Sequence, residues 1–98
     1  MLVEFVVAKG KKEQARSWAR VDDGVLAEHG DGAAPTPADV TFTATPADAQ
    51  ALHDGTLDLS VGFMRGQVKM AGDFGLLLRF LPLTRPGAAI AVADVLPG

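Results

Sequence analysis

The chain has 98 residues, of which 48% are apolar and 21% are charged, and it contains no cysteine. This length and composition predict one globular domain over residues 1–98, and they exclude disulfides, thiolate metal sites and cysteine nucleophiles. The formal net charge of −3 argues against nucleic acid as the main partner, because neutralising phosphates requires a basic surface.

The first third of the chain predicts an antiparallel meander of three strands. Leu2 to Ala8 is rich in valine and phenylalanine, and Gln14 to Val21 alternates small or apolar residues with larger, mostly charged ones. Val25 to Glu28 is the short third strand. Gly10 marks the first turn, and Asp22-Asp23-Gly24 is a signal for a tight second turn.

The middle of the chain predicts a loop, a strand and a helix. The stretch from Gly30 to Pro37 is too rich in glycine and proline for regular structure, so we expect a loop or crossover. Val40 to Ala44 alternates cleanly and predicts a half-buried strand. Thr45 is a good helix cap, and the helix that begins at Pro46 should run to about His53 and end at Gly55.

Three more elements are predicted after that helix. A short helix is expected from about Asp58 to Arg65, followed by a strand from Gln67 to Ala71. Asp73 is placed to cap a third helix, which runs from Phe74 to about Leu81 and which Pro82 ends.

The tail from Ala88 to Leu96 is apolar enough to pack, but its periodicity does not decide between helix and strand.

The most apolar stretch of the chain, Leu76 to Leu83, is far shorter than the roughly 20 residues that span a bilayer. The N-terminus lacks the pattern of a secretory signal, because Glu4 interrupts its first apolar run. We therefore expect a soluble protein, and the absence of cysteine is consistent with a cytoplasmic one.

Residues able to carry chemistry are few. His29 and His53 have no metal-ligand spacing to an acidic residue, and neighbouring positions in a helix do not face the same way. Ser17 and Ser60 lie in no nucleophile-elbow context, and no glycine pattern matches a phosphate-binding loop. We expect that the protein is not an enzyme and has no catalytic residue, no metal and no cofactor.

Large, flexible apolar side chains are concentrated between Phe63 and Leu81. In a helix that begins at Phe74, residues at the 0, 3, 4 and 7 spacing form one apolar stripe: Phe74, Leu77, Leu78 and Leu81. Leu76 and Phe80 widen it. Two interpretations fit, an ordinary core or a cavity or lid for an apolar ligand. Composition alone leaves both open.

The second half of the chain also carries a recognisable order of motifs. It consists of a threonine-rich strand, a capped helix ending in a Gly-x-Leu turn, an aromatic helix closing on glycine, and a basic-apolar strand running into a leucine-rich helix: residues 39–44, 47–57, 62–66 and 67–77. This pattern resembles the lipid-binding domain of the sterol carrier protein family, the type-two, non-specific lipid-transfer class. The resemblance covers about Asp39 to Leu81, and Gly66 to Asp73 is its most specific part.

The chain departs from that family in three places. The family usually begins with a helix, whereas this chain starts directly in a strand, so we expect its N-terminal helix to be missing. Gln67 stands where the family often has lysine. The C-terminus, Val95-Leu96-Pro97-Gly98, lacks the peroxisomal tripeptide of animal members.

The resemblance implies an α+β fold with a mixed, mainly antiparallel five-stranded sheet, helices packed on one face, and an apolar tunnel between the layers. It implies that the ligand is a sterol, a fatty acid or a fatty acyl-CoA. Separately from the resemblance, we expect transient membrane contact and a homodimer. The ligand-binding residues that it implies are Phe42, Leu52, Leu57, Phe63, Met64, Val68, Met70, Phe74, Leu77 and Phe80.

Two alternatives stay open beside the lipid carrier. One is a regulatory or dimerisation module that keeps this fold with a filled cavity, in which case an exposed apolar helix serves an interface. The other is a small enzyme that acts on a lipid-like substrate, for which no residue in the sequence suggests itself as the catalyst.

Overall fold

The computed structural model describes residues 1–84 and 90–97, which form a five-stranded mixed sheet with helices on one face. The strands are β1 (Leu2–Lys9), β2 (Lys12–Asp22), β3 (Val25–Asp31), β4 (Val40–Ala44) and β5 (Val68–Gly72). Their spatial order is β3-β2-β1-β4-β5. Only the β1–β4 pair is parallel within this sheet. The predicted fold class is confirmed.

The meander β1-β2-β3 follows from its turns. Gly10, Asp23 and Gly24 all have positive φ, which the two tight turns require. The third strand is longer than predicted and runs on through Gly30 to Asp31. Gly30 belongs to it because the indole of Trp18 packs against its backbone, where a Cβ would lie 3.0 Å from the indole Nε1. The glycine was therefore wrongly interpreted as the start of a loop.

The helical elements are α1 (Pro46–Asp54), α2 (Leu59–Met64), α3 (Phe74–Phe80), a 3₁₀ turn (Leu81–Thr84) and α4 (Val92–Val95). The first three each begin at a capping residue, of which Thr45 and Asp73 were predicted as caps. The side chains of Thr45, Asp58 and Asp73 each accept a hydrogen bond from a backbone N–H in the first turn, at 3.2, 3.3 and 3.1 Å. Gly55 ends α1 in the left-handed conformation, as predicted.

Two differences concern the end of the chain. Pro82 lies inside the 3₁₀ turn instead of ending a helix, and its missing N–H costs nothing there because the first N–H groups of a helix have no internal acceptor. In the tail, where the sequence pattern decided nothing, the short helix α4 forms. The beginning of the predicted tail segment, residues 88 and 89, lies outside the described residues.

The core is centred on three phenylalanines from three elements. Phe5 of β1 stacks on Phe42 of β4 with ring centroids 5.6 Å apart, and Phe80 of α3 lies 6.3 and 5.7 Å from the two rings. All three side chains are buried. Aromatic pairs at these separations add to the burial of apolar area, so this triad joins the helical layer to the middle of the sheet.

Asp39 connects the start of β4 to its neighbours. Its carboxylate accepts a hydrogen bond from the N–H of Leu2 at 2.8 Å, and its own N–H donates to the carbonyl of Leu2 at 2.8 Å. Its carbonyl accepts from the N–H of Asp73 at 2.9 Å. One residue therefore fixes the beginnings of β1, β4 and α3 relative to each other.

The face of the sheet opposite the aromatic triad carries an ion-pair cluster. Glu4 is buried and its carboxylate contacts the guanidinium of Arg16, which also donates to Glu13 at 2.6 Å. The bond from Arg16 holds the pKa of the Glu13 carboxyl below its ordinary value, and the bonds to Glu13 and Glu4 raise the pKa of Arg16.

Across residues 1–84 and 90–97, no helix is long and apolar enough to cross a membrane.

Candidate functional site

A small apolar cavity lies between the sheet and the helices. Its volume is about 10 Å³, which is the space of a single water molecule. Every residue of its wall is apolar, and the wall draws on three strands, two helices and the C-terminal segment: Phe5, Val6, Val7, Phe42, Ala44, Ala49, Leu52, Leu59, Val68 and Leu96. A wall without polar side chains is suited to a hydrocarbon chain or ring system.

The predicted site residues divide into three groups in the structure. Phe42, Leu52 and Val68 line the cavity. A second group is buried in the same core without reaching the cavity wall or packs partly buried against that core: Leu57, Leu77, Phe80, Phe63 and Met70. The structure therefore brings these residues into one apolar layer, centred on β4, β5 and the helices above them.

The remaining two predicted residues lie on the surface. Met64 is 82% exposed at the end of α2, and Phe74 is 56% exposed at the start of α3. The inward positions are Leu77 and Phe80 in α3, and Leu81 at the start of the 3₁₀ turn that follows it. The stripe predicted from Phe74 was therefore wrong in its phase, because Phe80 turns inward to join the aromatic triad.

Sequence patterns did not single out several cavity residues. Phe5, Val6 and Val7 belong to a strand that is buried on both faces, and an unbroken apolar run is the available signal for such a strand. Leu59 follows the cap Asp58 directly and begins the inner side of α2. Nothing in the sequence indicates that Leu96 reaches the cavity from the C-terminal segment.

An open groove of about 280 Å³ lies beside this cavity. It is lined by Val7, Gln14, Ala15, Pro46, Ala49, Gln50, His53 and Pro97. Val7 and Ala49 belong to both walls, and Pro97 in the groove follows Leu96 in the cavity. The groove and the cavity therefore share part of their walls, at Val7 and Ala49.

The outer sides of α2 and α3 carry a second apolar feature. Val61, Met64, Phe74 and Leu78 are 43%, 82%, 56% and 54% exposed. Together they are called the α2–α3 patch below. The rings of Phe63 and Phe74 lie 6.5 Å apart and connect the two helices. Val25 is the one other large apolar residue with comparable exposure in the part of the chain that the structure describes.

The polar groups in the interior are accounted for by structural hydrogen bonds. The Ser17 hydroxyl donates to the carbonyl of Val95 at 2.5 Å, and the Thr84 hydroxyl donates to the carbonyl of Leu81 at 2.8 Å. Within residues 1–84 and 90–97, no buried side-chain polar atom lacks a partner, and no group of three metal-ligating side chains occurs.

The comparisons with known proteins agree with this arrangement. A family model described as the SCP-2 sterol transfer family matches residues 4–85. The match extends from the first strand to the end of the 3₁₀ turn and includes most of the cavity wall. No curated protein sequence matches the chain.

Solved structures share the fold. Sterol carrier protein domain 2 of Helicoverpa armigera is 23% identical with a TM-score of 0.64, and the match covers 91% of this chain and 69% of that one. The palmitated sterol carrier protein 2-like 2 of Aedes aegypti is 17% identical with a TM-score of 0.63, covering 86% and 71%.

A third solved structure places the same fold inside a much longer protein. The stereoselective inverting sec-alkylsulfatase Pisa1 from Pseudomonas sp. is 28% identical with a TM-score of 0.56. The match covers 85% of this chain, and the chain spans 12% of the length of the alkylsulfatase.

Proposed function

The chain belongs to the SCP-2 sterol transfer family, and we propose that it is a lipid carrier that holds one sterol, fatty acid or fatty acyl-CoA between its sheet and its helices. The observation that carries this proposal is the wholly apolar wall between the two layers. The palmitated relative from Aedes aegypti supports it, since a protein of the same fold takes a fatty acyl chain.

Binding requires the interior to expand. The cavity of about 10 Å³ is far below the roughly 300 Å³ of a small-molecule site. An empty void of that size would cost on the order of 7 kcal/mol, out of a total stability of about 5–15 kcal/mol. A closed interior is therefore the expected state without ligand, and a lipid must displace part of the wall as it enters.

Two parts of the wall are suited to move. Leu96 reaches the cavity from the C-terminal segment, where it is partly buried, and the next residue, Pro97, lines the groove. Leu59 reaches the cavity from α2, which is six residues long. A helix this short has few internal hydrogen bonds and depends on its packing. Displacing either element enlarges the cavity without breaking the aromatic triad or the sheet.

Fluorescence energy transfer tests the carrier directly. Trp18 is the only tryptophan and the chain has no tyrosine, so ultraviolet emission reports on that residue. Transfer from Trp18 to a polyene fatty acid should saturate at one molecule per chain. No saturable transfer, together with no lipid in solvent extracts of the native protein, would contradict the proposal.

A matched pair of variants on α1 tests where the lipid sits. Ala49 lines the cavity, whereas Ala47 is exposed on the same helix. Ala49→Phe should fill the site and weaken binding by at least about tenfold, while Ala47→Phe should leave it unchanged. Thermal melts of both variants separate a filled site from a failed fold. Equal binding by both folded variants would place the lipid elsewhere.

The second candidate function is an assembly or regulatory module with a filled core. The small cavity volume favours it, and so does the alkylsulfatase, in which the matched region is a small part of a larger enzyme. Sedimentation equilibrium distinguishes this function. A concentration-dependent dimer together with no fatty acid uptake would select the module over the carrier.

A further inference from the structure

The α2–α3 patch gathers nearly all the large apolar side chains that the described residues expose. Val61 and Met64 lie three residues apart on α2, and Phe74 and Leu78 lie four apart on α3, so each pair shares one side of its helix. The Phe63–Phe74 contact joins the two pairs. A soluble domain rarely groups its exposed apolar side chains in this way without a binding partner.

Positive charge borders the patch. Arg65 follows Met64 directly and lies four residues from Val61, and Arg79 follows Leu78; both arginines are exposed. Neither forms an ion pair with another described residue. Asp73 is the one acidic residue between positions 61 and 79, and its carboxylate accepts the N–H of Leu76 as a helix cap.

The charge next to the patch is opposite to that of the molecule. Lys69 is basic, but it pairs with Thr43 and lies on the sheet face opposite Phe42 and Met70, so it does not border the patch. The other charged residues of 61–79 are Arg65, Arg79 and Asp73, a balance of +1, whereas the whole chain has a net charge of −3. The patch is apolar at its centre and basic at its border, which is the pattern that attracts a surface of anionic lipid.

We propose that the α2–α3 patch is a docking surface for membranes that contain anionic lipids. This inference rests on the proposed carrier function, because a carrier must meet the membranes that supply and receive its lipid. Docking inserts Met64 and Phe74 among the acyl chains near the headgroups, with Arg65 and Arg79 against lipid phosphates.

A second copy of the chain fits this surface less well. A stable interface uses about 20 to 30 residues from each partner, and the patch offers four exposed large apolar side chains. In a two-fold dimer the same patch meets itself, so the arginines of both copies would come together, and each copy offers only the capping carboxylate of Asp73 from residues 61–79 as an opposite charge. A membrane can bind a small apolar patch, and its anionic headgroups supply a charge opposite to that of the arginines.

Docking in this orientation brings the bilayer close to the proposed lipid site. Leu59 lines the cavity from the inner side of α2, while Val61 and Met64 lie on its outer side. The bilayer and the cavity would then be separated by one helix, a thickness of about 10 Å. The path of the lipid between the bilayer and the cavity would then be short, and it would cross α2, the part of the cavity wall that contacts the membrane.

Vesicle sedimentation tests the apolar part of the surface. The probes are vesicles of phosphatidylcholine alone and vesicles with 30% phosphatidylserine added. The native chain should bind the anionic vesicles more tightly, and the double variant Met64→Ser/Phe74→Ser should bind them at least about tenfold more weakly. Val25→Ser is the matched control, because Val25 is 62% exposed on a different part of the surface. Equal binding by both variants would overturn the proposal.

A charge-matched pair tests the basic border. Arg65→Gln/Arg79→Gln should weaken binding to anionic vesicles by about 10- to 30-fold. Lys11→Gln/Lys12→Gln removes the same charge from the exposed tip of the β1–β2 hairpin and should have little effect. The same loss in both double variants would mean that net charge alone attracts the protein, and it would overturn the assignment of a surface.

Two further outcomes separate this inference from the carrier function. Fatty acid binding without vesicles, combined with no vesicle binding, would overturn docking and leave the carrier intact. Vesicle binding without fatty acid binding would leave the docking surface and overturn the carrier. A native dimer that Met64→Ser/Phe74→Ser dissociates would assign the patch to a second copy of the chain.

Discussion

The inner and outer sides of α3 carry similar side chains in opposite surroundings. Leu77 and Phe80 on the inner side are fully buried, whereas Phe74 and Leu78 on the outer side are 56% and 54% exposed. One leucine and one phenylalanine therefore hold the fold together, while another leucine and another phenylalanine contact solvent. The difference teaches that apolar composition alone does not show which side chains stabilise the fold and which are left for the docking that we propose.

The largest expected effect is the loss of unfolding free energy when Phe80 of α3 is truncated, and Phe74 of the same helix serves as its comparison. Phe80→Ala should lower the free energy of unfolding by about 3–5 kcal/mol, because Phe80 packs against both Phe5 and Phe42. Phe74→Ala should change it by only about 1 kcal/mol, because Phe74 is half-exposed and its one ring contact is with Phe63. Urea unfolding followed by circular dichroism measures both. Similar losses would show that the outer side also supports the fold.

The next effect concerns the attachment of α3 to the sheet. Gly72 has φ of +114°, and a Cβ there would overlap the carbonyl oxygen of Asp39. Gly72→Ala should cost about 2–4 kcal/mol. Gly66 has φ of +78° with open space around it, so Gly66→Ala should cost only about 1–2 kcal/mol. Thermal melts compare the two. If the Gly72 variant were as stable as the Gly66 variant, the backbone at Asp39 would be able to shift with little loss of stability.

A smaller effect tests how α3 begins. The Asp73 carboxylate accepts the N–H of Leu76 at 3.1 Å, and Asp73→Ala should cost about 1 kcal/mol. Asp73→Asn keeps a capping oxygen and should restore most of that loss. If α3 were held only by its inner side chains, chemical denaturation would show no difference among the native chain and the two variants.

The smallest effect lies on β2, away from both sides of α3. Because Arg16 lowers the pKa of Glu13, this contact stabilises the fold fully above the ordinary glutamate pKa. Its contribution is lost as the pH falls through the lowered value. NMR titration should show the Glu13 pKa rising toward its ordinary value in Arg16→Gln. An unchanged pKa would mean that the exposed bond does not persist in solution.

Local signals in the sequence were enough to predict several elements. The strand Val40–Ala44 and the helix from Pro46 with its ends at Thr45 and Gly55 agree with the structure, because alternation and capping act within a few residues. The motifs after Asp39 also identified the family and its fold. These features depend on neighbours in the chain, which a sequence shows directly.

Features that depend on distant residues could not be predicted. The phase of α3 is set by Phe80 packing between Phe5 and Phe42, and the length of β3 depends on Trp18 packing against Gly30. The volume of the cavity depends partly on Leu96, which reaches it from the far end of the chain. The ten residues expected to bind lipid stay a prediction, two of which now lie on the outer sides of the helices.

The parallel pairing of β1 with β4 has a consequence for the order in which the chain folds. β1 pairs with β2 across a tight turn, so this hairpin forms from neighbouring residues soon after both strands exist. The β1–β4 pair must close a long loop that contains β2 and β3, and such distant pairings form slowly. During synthesis the backbone groups on one edge of β1 therefore stay unpaired until β4 has been made. The side chain of Phe5 stays exposed until Phe42 can pack against it. Chaperone binding or aggregation of nascent chains is expected in that interval.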